Sequence, residues 1–301
     1  MLLTICTPTY NRATLLIDLY RSLQCQTLLD FEWIIIDDGS SDHTESLVNS
    51  WIEERNPFKI KYFKKANGGK HTAINVGVTI AAGECFMIVD SDDFLKNNAV
   101  EEIHRCFEKL PKGRYAGIGF NKMFEDGSLV GTTFEEEYVD CTTLERRKHH
   151  IAGDKAEVFF TDIIKNYPFP VFEGERFITE ALVWNRIAND GYKIRWVNKG
   201  IYVCRYQADG LSLGASTNLS FNGYTLYIKE LLSYKATLFT EKIRWLGVYA
   251  DTAASNQYSD KDIANLVDAS LLLVKSSKTL YRLLKKWKNY RRRQTLLNDK
   301  K

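Results

Sequence analysis

Three carboxylates fall within four residues at Asp90-Ser91-Asp92-Asp93, directly after the apolar run Cys85-Phe86-Met87-Ile88-Val89. Charges this close repel one another unless a cation sits between them. A hard divalent ion carrying a diphosphate fits, because magnesium-type sites need only one or two protein carboxylates plus phosphate oxygens. The apolar run reads as a buried strand, and the carboxyl end of such a strand is where an open α/β sheet binds ligands. A solvated turn capping a helix from about Asn97 would use the same residue types. Two further polar clusters favour a site: Thr7-Pro8-Thr9-Tyr10-Asn11-Arg12 after an apolar Leu2-to-Cys6, and Asp37-Asp38-Gly39-Ser40-Ser41-Asp42 after Trp33-Ile34-Ile35-Ile36. Strand ends in a parallel sheet point the same way, so the three clusters converge on one crevice.

The elements that must position them follow from periodicity. Short apolar runs alternate with amphipathic ones through the first half of the chain, the pattern of βαβ units. Leu15, Leu16, Leu19, Tyr20 and Leu23 recur at helical spacing, as do Leu47, Val48, Trp51 and Ile52. A third strand is predicted over Lys59 to Phe63, a helix opening at Gly68-Gly69, a strand over Tyr115 to Phe120, and a hairpin at Glu125-Asp126-Gly127-Ser128. Helices are predicted over Ala156–Ile164 and Ala181–Ala188, the second stopping at Asp190-Gly191. From Asn218 onward the pattern is helical, with a boundary near Leu213–Thr217.

The chain has 301 residues, 45% apolar and 26% charged, an ordinary globular composition. No apolar run approaches the roughly 18–20 residues that span a bilayer, and Met1-Leu2-Leu3-Thr4-Ile5-Cys6 lacks the layout of a signal peptide. Six cysteines without a Cys-x-x-Cys pair read as reduced core residues of a cytoplasmic protein, not a zinc site. The formal charge of +3 hides an asymmetry: eleven Lys and Arg against one acid from Lys275 to Lys301 leave the body of the chain at −7. Nucleic acid is therefore excluded as the partner of the body.

With these residues in hand, the first 210 or so resemble an inverting family-2 glycosyltransferase with the GT-A fold, of the bacterial cell-surface polysaccharide type. The resemblance rests on Thr-Pro-Thr-Tyr-Asn-Arg, Ile-Asp-Asp-Gly-Ser-Ser-Asp, Asn67-Gly68-Gly69-Lys70 with Asn75 and Gly77, and Val-Asp-Ser-Asp-Asp, in the family's order. Thr179-Glu180 with Gly191-Tyr192-Lys193-Ile194 matches the layout around the family's catalytic acid. The resemblance implies an α/β, Rossmann-like and mostly parallel sheet over 1–213, its nucleotide-binding half to about 120 and its acceptor half after that, with a helical region over 214–301. It implies a UDP-sugar donor held by Thr7, Pro8, Tyr10, Arg12, Asp38, Gly69, Lys70, Asp90, Ser91 and Asp92, and Mg2+ or Mn2+ on Asp92 and Asp93. Glu180 would be the general base, standing where relatives carry the Asp of Glu-Asp, and its arm is longer by one methylene. Glu175 would be the reserve candidate for that base or a contact to the acceptor sugar, and Arg205 would offset phosphate charge. Relatives often place a metal-binding His in the strand at Ile201 to Tyr206; a soft thiolate suits magnesium poorly, so Cys204 is not assigned to the metal. Asp209-Gly210-Leu211-Ser212 resembles a loop that closes over the donor.

The tail has its own signature. Leu280, Leu283, Leu284 and Trp287 fall on one helical face with Arg282, Lys285, Lys286 and Lys288 between them. That composition fits an anionic membrane surface, as a polyprenyl-diphosphate-linked saccharide acceptor would require, and places the protein at the inner face of the plasma membrane. A helix packed on the domain is the other reading. Two other functions stay in view: a non-catalytic sugar-nucleotide or glycan-binding scaffold, and a nucleotidylyltransferase. The second would need a Gly-rich basic loop after the first strand, and Thr7 to Arg12 is not one.

Overall fold

The computed structural model describes residues 2–205 and 220–298. The chain forms two compact units, 1–214 and 215–301. The boundary expected at 213–217 and the loop at 209–212 lie outside the described residues.

In the first unit, β1 (Leu3–Thr9), α1 (Ala13–Gln24), β2 (Phe31–Asp37), α2 (Thr44–Glu53), β3 (Lys59–Lys64), α3 (Lys70–Ile80) and β4 (Cys85–Ile88) follow the predicted alternation. Then come β5 (Phe94–Leu95), α4 (Ala99–Glu108), β6 (Tyr115–Phe124), β7 (Tyr138–Cys141), a 3-10 turn (Thr143–His149), β8 (Lys155–Phe160), α5 (Thr161–Ile164), α6 (Glu180–Asn189) and β9 (Lys193–Cys204). The sheet runs β3-β2-β1-β4-β8-β6-β9-β5, with β7 also on β9. Strands β3, β2, β1 and β4 are mutually parallel, β8 is antiparallel to both its neighbours, and β6 and β9 are parallel.

Every residue of β1 and β2 is buried, as expected of strands covered by helices on both faces. Order reverses between β1 and β4, which makes the gap beyond their ends the switch point where such sheets bind ligands. Their pairing ends at Cys6 opposite Ile88, so Pro8, which has no N–H to give, falls where the ladder has already opened.

One prediction is corrected. Ala156–Ile164 is not a helix: residues 155–160 form β8 and only Thr161–Ile164 turn helically. Ala156, Val158 and Phe159 are buried together. A strand buried on both faces has no alternation, so over a short stretch it cannot be told from a buried helix by periodicity.

The second unit is helical: α7 (Phe221–Ser233), α8 (Phe239–Ser255), α9 (Asp260–Leu266) and α10 (Leu271–Asn298). Gly247 of α8 lets α10 approach, since a Cβ there would lie 2.5 Å from the Ser277 carbonyl oxygen. No helix among the described residues is long and apolar enough to cross a membrane.

Candidate active site

The loops after β1 and β2 are fastened to each other. Asn11, at φ 51°, donates its backbone N–H to Ser40 Oγ (2.8 Å), and its Oδ1 accepts from the Ser41 N–H (2.8 Å) and, less closely, from Asp42 (3.3 Å). Asp42 in turn accepts from the Ala13 N–H at 3.2 Å, the start of α1. Tyr10 projects from this clip, 45% exposed. Thr7 faces the other way: its hydroxyl accepts from Trp33 Nε1 at 2.9 Å inside the core, so it offers a ligand at most its backbone.

Asp38 organises the next layer. Its carboxylate accepts from the N–H of Gly68 (2.9 Å) and Gly69 (2.7 Å) and from Lys65 Nζ (2.6 Å), and its carbonyl accepts from Asn67 Nδ2 at 2.8 Å. Gly69 has φ +94°, and a Cβ there would lie 2.0 Å from the Arg176 carbonyl oxygen, so no other residue fits. That turn starts α3 and aims Lys70. Asp37 alongside accepts from the Ser40 N–H (2.7 Å) and the Tyr62 hydroxyl (2.5 Å).

Lys70 joins two sides of the site. Its Nζ lies 2.5 Å from Asp90 Oδ1 and 2.9 Å from Glu180 Oε1. Burial opposes its charge, but Asp90 and Glu180 outweigh burial and hold the ammonium above the ordinary Lys range. For Asp90 burial is likewise outweighed, by Lys70 and Lys122, and its carboxyl sits low. Its two neighbours differ. Burial, then the charge of Asp90, pushes Asp92 up, and the same two causes raise Asp93 to about 6.

Asp93 already has both oxygens engaged, by the Arg205 N–H and the Tyr202 hydroxyl, each at 2.8 Å. Tyr202 also accepts from the Asp90 N–H at 3.0 Å, and Lys122 Nζ lies 4.2 Å from its ring centroid. Asp92 is 22% exposed at the side chain and stands 3.9 Å from Arg12 Nη1. Ser91 between them is buried. Among the described residues no three His, Cys, Asp or Glu form a ready-made metal cage. The donor set still suits magnesium or manganese, which can be held by a single carboxylate with substrate phosphates. Asp92, repelled by Asp90 and not tied down as Asp93 is, is the ligand that fits.

Glu180 is the first residue of α6, after Thr179 at the N-cap. Glu175 is buried in the preceding loop. Arg205 turns its guanidinium away, onto Asp18 and Glu125 (2.8 Å) and over the Phe94 ring, so only its backbone reaches the acidic turn. Burial lifts the Cys204 thiol to about 12 in spite of Lys122, which keeps it protonated and a poor ligand. His71 is buried against Asp38, and burial outweighs that carboxylate to lower its pKa.

Three residues were missed by sequence reasoning: Lys122 on β6, Tyr202 on β9 and Glu157 on β8. Glu157 is raised to about 7 by burial, with Arg146 Nη1 3.8 Å away. For Lys122 and Glu157 the available signal was a charge inside an otherwise apolar strand, since Lys and Glu are almost never buried without a partner; for Tyr202 there was none.

A sheet that opens at its switch point onto an acidic turn, with a Gly-Gly helix start and a separate carboxylate facing it, has the place and the chemistry to hold a ligand such as a nucleotide. The profile of Glycosyl transferase family 2 matches residues 4–159. Glycosyltransferase GlyG of Streptococcus pneumoniae serotype 4 is 24% identical over 70% of this chain and 72% of its own. The GalNAc(5)-diNAcBac-PP-undecaprenol beta-1,3-glucosyltransferase of Campylobacter jejuni is 28% identical over 76% of this chain and 72% of its own. Among solved structures, S. aureus TarS 1-349 in complex with UDP-GlcNAc aligns with a TM-score of 0.64 at 20% identity, over 88% of this chain and 76% of that one. The mannosyltransferase PcManGT from Pyrobaculum calidifontis, in complex with GDP-Man and Mn2+, gives a TM-score of 0.58 at 18% identity over 95% and 82%. The chain belongs to glycosyltransferase family 2 and is a glycosyltransferase of the GT-A fold.

Proposed function

We propose that the protein moves a hexose or N-acetylhexosamine from a UDP-sugar to a saccharide acceptor carried on a polyprenyl diphosphate, by single displacement with inversion, in surface polysaccharide synthesis. The observation that carries this is the acidic turn at the switch point, where Asp92 and Asp93 are both raised by burial and by Asp90. That excess of negative charge suits a divalent ion with a diphosphate. The named activity of the C. jejuni relative, on an undecaprenol-linked glycan, and the UDP-GlcNAc bound by TarS support the acceptor and donor classes.

In this reading Pro8, Tyr10 and the main chain at Thr7 line the uridine with Asp38, whose Oδ2 keeps acceptor capacity beyond its bond from Gly69. Asp90 and Ser91 meet the ribose, and Arg12 and Lys70 face the diphosphate. Magnesium or manganese on Asp92 would neutralise charge developing on the leaving UDP. Asp93 shapes that turn through Tyr202 and Arg205. Glu180 takes the proton of the attacking acceptor hydroxyl, and Glu175 contacts the acceptor sugar. Inversion follows from one displacement with a base and no covalent intermediate.

The test is UDP release across UDP-, GDP- and dTDP-sugars, with and without Mn2+, for wild type and Asp92→Ala, with the product anomer read by proton NMR. Metal-dependent release from a UDP-sugar, lost in the variant and giving the inverted anomer, is expected. Nucleotide binding without release even with lipid-linked acceptors supplied would favour the scaffold reading, and a retained anomer would remove Glu180 from its role.

The tail is read as a membrane contact, which would make the protein peripheral at the cytoplasmic face. Val274 and Ser277 of α10 are buried, and Arg282 and Lys285 pair with Asp251 of α8. Leu280, Leu283, Leu284 and Trp287 remain 47–59% exposed. Such an apolar face beside Lys and Arg favours anionic lipid. Replacing Leu283, Leu284 and Trp287 by Ser should abolish sedimentation with phosphatidylserine vesicles at moderate salt and leave UDP binding intact. Unchanged sedimentation would sink the membrane reading.

A further inference from the structure

The Lys70 ammonium has three N–H groups, and two of them are spent inside the protein, one on Asp90 and one on Glu180. From this geometry we infer that Lys70 is a positioning residue for the base: it anchors the Glu180 carboxylate to the nucleotide-side turn and so sets where the acceptor proton is received. The inference rests on the proposed role of Glu180.

Three features of the chain support it. First, Lys70 itself does not wander, because it is the first residue of α3 and follows the Gly68-Gly69 turn that Asp38 pins with two backbone hydrogen bonds. Second, the loop before Glu180 is locked to the same turn, with the Arg176 carbonyl packed against Gly69 so closely that no Cβ would fit. The starts of α3 and α6 therefore form one wall. Third, Glu180 needs an anchor. A Glu carries one more rotatable bond than an Asp, and the side chain of its N-cap neighbour Thr179 makes no capping hydrogen bond.

The remaining charged groups around Glu180 are poor substitutes. The charges of Asp90, Asp93 and Glu180 act on Lys122, but its Nζ lies over the Tyr202 ring, 4.2 Å from the centroid. Glu157 faces Glu180 with the same sign. Without Lys70, Glu180 would swing among rotamers beside a second carboxyl. A base misplaced by about 1 Å costs on the order of 10²-fold in rate.

A diphosphate contact alone predicts something different. If Lys70 served only the donor, its loss would weaken ground-state binding and raise the donor KM; if it places the base, the loss falls on kcat.

The experiment compares wild type, Lys70→Met and Lys70→Gln, each also carrying Glu180→Gln, after thermal melts and UDP calorimetry establish that they fold. UDP release from the donor that wild type turns over should show kcat lowered about 10- to 100-fold, on top of whatever rise in donor KM the lost diphosphate contact brings. On the Glu180→Gln background, removing Lys70 should cost less than about twofold further, because both changes act through one group. A raised KM with unchanged kcat, or full additivity with Glu180→Gln, would overturn the inference. The second readout needs no turnover: in ligand-free protein with 13C-labelled Glu, the Glu180 carboxyl resonance, assigned by its absence in Glu180→Gln, should shift or broaden in Lys70→Met. An unmoved resonance would also overturn it. A wild type that releases no UDP would strike the proposed function instead, and the resonance would still decide the anchor.

Discussion

The turns after β2 and after β4 are both acidic, and their chemistry is opposite. At Asp37-Asp38 the protein supplies its own donors: Ser40 N–H and the Tyr62 hydroxyl for one, Gly68 N–H, Gly69 N–H and Lys65 for the other. The carboxylates there act as scaffold, folding the Gly-Gly turn into the shape that starts α3. At Asp90-Asp93 the supply falls short. Lys70 and Lys122 serve Asp90, but Asp92 and Asp93 are raised by burial and by Asp90. The first turn is met by donors of the protein itself, whereas the second keeps an excess of negative charge that, in the proposed function, a cation would offset. Acidic turns after strands are therefore to be read by counting the donors that reach them, not the carboxylates they contain.

The sharpest way to break this contrast is to remove a charge from each turn. Asp92→Asn should lower metal-dependent UDP release about 10²- to 10³-fold, a loss typical of removing one electrostatic stabiliser. The same variant should melt no lower than wild type without ligand, since repulsion with Asp90 is relieved, and Mn2+ should no longer raise its melting temperature. Asp38→Ala should differ by lowering the melting temperature of the ligand-free protein, besides weakening UDP binding. Leaving the buried Gly69 N–H and the half-buried Gly68 N–H without their acceptor costs about 2–4 kcal/mol, read as a lower denaturant midpoint at unchanged m-value.

A third carboxylate extends the comparison by pH. Glu157, raised to about 7 by burial with Arg146 and Lys122 only partly offsetting it, behaves like the acidic turn. Because its folded pKa lies above its ordinary 4.5, its contribution to stability is complete below about pH 4.5 and is lost as pH rises through 7. Glu157→Gln should thus gain on wild type chiefly above pH 7, by on the order of 2 kcal/mol, and flatten the fall in melting temperature between pH 5 and 8. A parallel fall in both proteins would assign that slope to other groups.

How much of this was legible locally depends on the range of the interaction. The parallel strands, the helix start at Gly68-Gly69, the stop at Asp190-Gly191 and the three polar clusters are short-range statements, and each is written in apolar runs and turn residues that need no partner to be read. The error at β8 has the same origin, because Ala156 to Phe160 is buried on both faces and a stretch without a polar face carries no period. Side-chain direction was beyond reach. Thr7 sends its hydroxyl to Trp33, and Arg205 sends its guanidinium to Asp18 and Glu125. Both partners lie on other elements, and the choice is made by packing.

By itself, then, the sequence determined which residues end the strands, which turns need glycine, and that a carboxylate opens the helix at Glu180. Only the tertiary structure decided that Asp93 is tied to Tyr202 and Arg205 while Asp92 is not, and that one ammonium at Lys70 spans Asp90 and Glu180. The reason is physical. Propensity and period act over a few neighbouring residues, whereas charge compensation in a buried site depends on groups that the fold brings together from separate strands and helices, up to 112 residues apart for Asp93 and Arg205.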